Sequence, residues 1–314
     1  MIYPMKLKPV LKSYIWGGEK LAKKYGKDGG SVAESWEVAA NASGSSVISG
    51  GEYDGMTLVD FLSAHPEALG TEAAKFEFFP VLVKLIDAAS NLSVQVHPDD
   101  AYALANEGQY GKTEMWYVVE CEPGAGMYCG FKRKVSKEEL EIALNNGTIT
   151  DLLNFIEVKK GDCLFIKSGT VHAICGGVLV YEIQQNSTLT YRLYDYGRVG
   201  ADGKPRELHI AKALEVTDTA AVCHPGDGVK KLADGVEQLG ACQYFTAIVY
   251  DTTLCRSTVV TERSFSAFTC VDGECTITAN GIVCPLRRGD TCFVPSASGT
   301  VIFSGKATLI EAKV

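Results

Sequence analysis

Gly161-Asp162-Cys163-Leu164-Phe165-Ile166-Lys167-Ser168-Gly169-Thr170-Val171-His172 reads as a Gly-Asp turn, an apolar strand, a small-residue turn and the start of a second strand. The same plan returns near the C-terminus as Gly289-Asp290-Thr291-Cys292-Phe293-Val294-Pro295-Ser296-Ala297-Ser298-Gly299-Thr300-Val301. This internal echo predicts two related β-barrel units in tandem. The rest of the chain agrees, with short apolar strands separated by glycine turns, a pattern that favours an all-β fold. Helical signals are few. They are a short piece over 57–65 stopped by Pro66, a stretch over 136–144 with Ser136 and Glu139 at capping-box spacing, a turn over 149–155 and a piece over 209–214. We therefore expect an N-terminal unit over 1–235, with a small helical segment near 136–155, and a C-terminal barrel over 236–314.

The composition narrows the class. The chain has 314 residues, 46% hydrophobic and 22% charged, which is globular rather than disordered. Its net charge is −8 and its basic residues are scattered, so no nucleic-acid face is expected. An anionic ligand must then be held by a few local cations. The segment Met1-Ile2-Tyr3-Pro4-Met5-Lys6 has no apolar signal-peptide core, and no apolar run reaches the roughly 18 residues of a membrane span. With 11 cysteines, an odd number, and no C-x-x-C pair, reduced thiols in a cytoplasmic protein are the expectation. Monomer and homodimer both stay open.

Candidate chemistry starts at Leu92-Ser93-Val94-Gln95-Val96-His97-Pro98-Asp99-Asp100. On a strand, Gln95 and His97 share one face. Glu114 opens the strand-like Glu114-Met115-Trp116-Tyr117-Val118-Val119, and His172 closes the Gly-Thr-Val-His turn of the first unit. Each alone has an ordinary explanation: an edge strand, a solvated strand end, a turn histidine. Together, Gln95, His97, Glu114 and His172 form an N2O2 set that suits one Zn2+ per chain and would also admit iron, manganese or cobalt. The second unit carries Ile302 where the first has His172, so the C-terminal barrel is expected to be metal-free.

At this point the sequence resembles a known family. Residues 81–100 (VLVKLIDAASNLSVQVHPDD), 111–117 (GKTEMWY), 169–174 (GTVHAI) and 181–198 (YEIQQNSTLTYRLYDYGR) are similar to type I mannose-6-phosphate isomerases, the short bacterial form in particular. The resemblance runs from Trp16-Gly17-Gly18 to the second barrel. It implies two cupin-type jelly-roll barrels and one zinc held by Gln, His, Glu and His, the roles of Gln95, His97, Glu114 and His172. It further implies interconversion of mannose 6-phosphate and fructose 6-phosphate through an enediol. Many cupin barrels have a proline where this chain has Lys167-Ser168-Gly169, so a looser turn is expected there.

Such chemistry needs a proton-transfer group and cations for phosphate. Lys84 shares a strand face with Leu82 and Ile86, where burial would favour a neutral amine, and the resemblance places a functional lysine there. Its bland alternative is a lysine snorkelling at a barrel rim. Glu182 is the rival base, or else a structural partner for a basic residue. Arg192, where the resemblance places a catalytic arginine, is the first choice for phosphate. Arg198 is second and could equally pair with Asp195. Lys112 would help close the pocket, and Trp16 would stack on the sugar or simply be core. Two further classes compete: a non-catalytic sugar-phosphate-binding cupin, and another metal-dependent cupin enzyme, against which the Gln95 ligand argues.

Overall fold

The computed structural model describes residues 2–200 and 203–314. A six-stranded antiparallel sheet forms the centre. Its order is Cys163–Ile166, Glu114–Cys121, Val178–Gln185, Val81–Ala88, Glu34–Val38 and Val10–Lys12. A five-stranded sheet faces it, ordered Leu153–Glu157, Gly126–Phe131, His172–Ile174, Val94–Val96 and Tyr191–Tyr194. The two make the first barrel. A ten-stranded sheet, folded on itself by the long strands Ser266–Ala279 and Gly299–Lys313, makes the second. The all-β, two-barrel expectation is borne out, and so is the echo. Cys163–Ile166 and Thr291–Val294 are corresponding strands, and each is followed by a turn with a left-handed residue, Gly169 (φ 83°) or Ala297 (φ 59°).

Why the central strands read as nearly continuous apolar runs becomes plain from what covers them. All eight residues of Val81–Ala88 are buried. Val81, Val83 and Leu85 point outward into a core shared with Phe265, Ala267, Ile310 and Ala312 of the second barrel. Ile86 points inward with Trp116, Val118, Val178 and Val180. A strand with both faces covered has no solvated side to carry polar alternation. The five-stranded sheet is closed differently. Val94, Val96, Val171 and Ala173 pack outward under Leu140, Leu144 and Ile149, from the helices Lys137–Asn145 and Ile149–Leu152. The helical segment is thus the lid of one barrel wall.

Strand pairing crosses the 235/236 line. Met5–Lys8 pairs with Thr291–Val294, and Val47–Ser49 pairs with Met5–Lys8, so the N-terminus completes the C-terminal sheet. Several local readings need correction. The helix Asp100–Glu107 went unread, although Asp99 caps it by accepting from the Tyr102 N–H and Gly108 ends it at φ 65°. Only half of the capping box forms, because Glu139 turns to Arg133. The turn at Gly169 is not loose: its N–H donates to the His97 carbonyl and its carbonyl accepts from Asp218. The thiols are not all free either. Cys129 and Cys223, 94 residues apart, form a disulfide where the segment around Val222 bridges to Gly130. No helix among the described residues is long and apolar enough to cross a membrane.

The shared core makes a testable claim about cooperativity. Phe293 is fully buried, stacked on Phe265 at 5.2 Å and edge-on to Phe61 at 6.4 Å. Phe293→Ala should cost about 3–5 kcal/mol. All three tryptophans, Trp16, Trp36 and Trp116, lie in the first barrel, so their fluorescence reports that half alone. Its denaturant midpoint should nonetheless fall in Phe293→Ala, and an unmoved midpoint would show that the barrels unfold independently.

Candidate metal centre and catalytic cavity

Four side chains converge inside the first barrel from both sheets. Gln95 and His172 are register partners on adjacent strands of the five-stranded sheet, and His97 follows two residues after Gln95. Glu114 comes from the opposite wall. His172 Nε2 lies 3.1 Å from Glu114 Oε1 and His97 Nε2 lies 3.7 Å from Glu114 Oε2, while the Gln95 side chain reaches the same point with its amide nitrogen 3.3 Å from His172 Nε2. Donors sharing one ion at about 2.1 Å in a tetrahedral arrangement stand roughly 3.4 Å apart, close to these separations. Among the described residues, His97, Glu114 and His172 are the group able to hold a metal ion.

The surroundings prepare these atoms for a cation. His97 Nδ1 donates to the Leu189 carbonyl at 2.7 Å, and His172 Nδ1 donates to the Thr170 carbonyl at 2.8 Å. Both rings therefore turn an unprotonated Nε2 to the centre. Burial, with Lys112 nearby, holds His97 well below the usual imidazole range, so the ring is neutral. Burial alone would raise Glu114, but the Lys112 ammonium at 3.0 Å holds it well below the usual carboxylate range. Both Glu114 oxygens and His97 Nε2 are buried without a well-formed hydrogen bond. Such orphaned groups are costly unless something satisfies them. A divalent cation fits this donor set and these orphaned atoms.

Beside the centre opens a cavity of about 320 Å³. It brings together most of the expected site: Trp16, Lys84, Gln95, Lys112, Glu182 and Arg192 all line it. Trp16 is buried and stacked on Tyr14 at 5.3 Å. Lys84 Nζ is 3.0 Å from Glu182 Oε1 and 3.8 Å from Glu34 Oε2. This corrects the neutral-amine expectation. Burial does push the Lys84 ammonium down, but the two carboxylates outweigh it and its pKa is raised. Arg192 donates to Ser93 Oγ and to the Glu207 carbonyl and has no carboxylate partner among the described residues. Arg198 is not in the lining. Its guanidinium is taken by Asp195 and the Asn91 carbonyl, the structural alternative raised for it. Arg206, also held by Asp195, lines the cavity instead. Nothing in the sequence around Arg206 marks it. Glu34 was legible, because it stands two residues from Trp36 on a strand, as Gln95 does from His97.

Known proteins place this arrangement. The description "Phosphomannose isomerase type I, catalytic domain" matches residues 5–123, and "Mannose-6-phosphate isomerase, cupin domain" matches residues 236–314. The mannose-6-phosphate isomerase ManA of Bacillus subtilis is 36% identical over 98% of each chain. The chain belongs to the type I mannose-6-phosphate isomerase family. The mannose-6-phosphate isomerase of Streptococcus mutans is 36% identical over 99% of this chain and 98% of its own. The crystal structure of the mannose 6-phosphate isomerase from Bacillus subtilis superposes with a TM-score of 0.90 at 35% identity, covering 100% of both chains. The resemblance read from the sequence motifs is thereby borne out. Within this isomerase family the buried His-Glu-His group is the natural place to test for metal. His172→Ala should fall from one ion per chain to below about a tenth, a loss in line with removing a direct ligand, as counted by elemental analysis of purified protein. Full metal occupancy in that variant would strike His172 from the ligand set.

Proposed function

We propose that this chain interconverts D-mannose 6-phosphate and D-fructose 6-phosphate with one zinc ion held by Gln95, His97, Glu114 and His172. Bound there, the ion supplies Lewis-acid polarisation of the sugar oxygens. The single observation that carries the reading is one cavity lined by Gln95 of this donor set, by the Lys84–Glu182 pair and by Arg192, with Glu114 behind its wall 3.0 Å from the lining Lys112. A protonated Lys84 cannot accept a proton, so proton abstraction falls to Glu182. Its carboxylate takes the proton from C2 of the aldose and returns it to C1. Lys84 gives a proton to O1 as the enediol forms and recovers one from the O2 hydroxyl, so protons balance over the cycle. Arg192 binds the phosphate, with Arg206 adding positive charge at the same end; burial, and Arg206 beside it, lower the Arg192 pKa, as expected of a guanidinium short of an anion. Lys112 and Trp16 close the wall around the sugar.

The catalytic work belongs to the unit over 1–235, and the barrel over 236–314 supports it without a metal. The reading also keeps the cytoplasm as the compartment; the Cys129–Cys223 disulfide is buried and so shielded from soluble thiols there. A coupled assay of mannose 6-phosphate isomerisation tests the function directly. Activity should vanish on chelation and return with zinc, and turnover that persists in metal-free protein would overturn the metal-dependent reading. Glu182→Gln should lower kcat by about 10²–10⁴-fold. Arg192→Ala should lower kcat/KM for the phosphorylated sugar by roughly 10²-fold, through lost binding and positioning.

A further inference from the structure

Four residues lie in one row across the six-stranded sheet. Trp36 pairs with Lys84, Lys84 with Glu182, and Glu182 with Trp116, each as register partners on neighbouring strands. The side chains repeat a motif about Lys84. The Trp116 indole N–H donates to Glu182 Oε2 at 2.7 Å, and the Trp36 indole N–H donates to Glu34 Oε2 at 2.7 Å. Lys84 Nζ sits between the two anchored carboxylates, 3.0 Å from Glu182 Oε1 and 3.8 Å from Glu34 Oε2. It also lies over the Trp36 ring at 5.6 Å. Both Glu34 and Lys84 line the cavity beside the candidate metal centre and a further cavity of about 340 Å³ that adjoins it. Glu34 therefore stands at the junction of two cavities, buried, charged and held by an indole, a costly placement with no purpose in packing alone.

We propose that Glu34 is a positioning residue for the proton-transfer step: anchored by Trp36, it shares the Lys84 ammonium with Glu182 and so keeps Glu182 Oε1 available to the substrate. The inference rests on the reading of Lys84 and Glu182 as the proton-handling pair. At 3.0 Å Lys84 touches Oε1 without a well-formed hydrogen bond, and with Glu182 as its sole partner it would align fully on that oxygen and quench the base. A second carboxylate divides that attraction while keeping the ammonium charged. The groups facing Lys84 are Glu34 from one neighbouring strand, Glu182 from the other, Glu114 one strand further, and Tyr14 and Lys112 across the cavity. Among them Glu34 can be neutralised without touching the expected metal ligands or the expected base.

The test is Glu34→Gln, whose amide oxygen can still accept from the Trp36 indole. Metal content and circular dichroism should match the parent protein. kcat should fall roughly tenfold, the scale seen when a supporting partner of a functional group is removed. The sign of the pH effect follows from charge. With one carboxylate neutralised, Lys84 loses its proton at lower pH, so the alkaline limb of the kcat–pH profile should move to lower pH. Trp36→Phe keeps the charge but removes the anchor and should move the same limb less; it also serves if Glu34→Gln does not fold. An unchanged kcat and alkaline limb would overturn the proposal. So would an acid limb moving down with higher activity at neutral pH, which would make a neutral Lys84 the base. The underlying reading fails separately, by retained activity in Glu182→Gln.

Discussion

The structure depends on a sheet covered on both faces. One side of Val81–Ala88, Glu114–Cys121 and Val178–Gln185 packs against the second barrel through Val83, Leu85, Met115, Tyr181 and Ile183. The other side faces the interior of the first barrel. Lys84, Glu114, Glu182 and Gln184 on these strands are buried, so charge on the inner face must find compensation inside the protein. The second barrel, which lacks the histidine of the first, contributes by being apolar where it meets the sheet. The N-terminal strand Met5–Lys8, paired to Thr291–Val294, ties that contact down.

The inner face meets this constraint by grouping its charges. Lys84 is held between Glu34 and Glu182, and Lys112 beside Glu114. Glu114 turns its oxygens to two imidazole nitrogens from the opposite wall, and neither oxygen has a well-formed hydrogen bond. The same low-dielectric setting that makes unpaired charge expensive strengthens every interaction at the site once an ion and a phosphorylated sugar are present. Buried ion pairs of this kind contribute little to stability and are explained by what they do.

The facing sheet supplies orientation. Backbone carbonyls of Leu189 and Thr170 fix the tautomers of His97 and His172, and the Gly169 N–H binds the His97 carbonyl, locking the two histidine segments together. The outer face of this sheet is closed by helices, and the Cys129–Cys223 bridge fastens the connecting segment to the strand that pairs with His172. Positioning the ligands thus falls to turns and loops braced by the barrel wall, while the sheet facing them carries the charges.

Much of this was legible in the sequence. The repeated Gly-Asp-strand-turn unit revealed two barrels, because strand and turn chemistry is local. The spacing of Gln95 and His97, with Glu114 and His172 at strand and turn positions, pointed to the candidate metal site, because alternation on a strand is a local property too. The helix Asp100–Glu107 is equally local, marked by Asp99 at its start and Gly108 at its end. Other features exist only in three dimensions. That Lys84 is charged follows from Glu34 and Glu182, which reach it from two different strands. That Arg206 and not Arg198 faces the cavity depends on how Asp195 and the Asn91 carbonyl divide two guanidinium groups. The pairing of Cys129 with Cys223, and of Met5–Lys8 with the C-terminal sheet, joins segments far apart along the chain. Sequence determines which faces are polar and which apolar, but a charge state or a partner is set by distance through space, and that is decided when the barrels close.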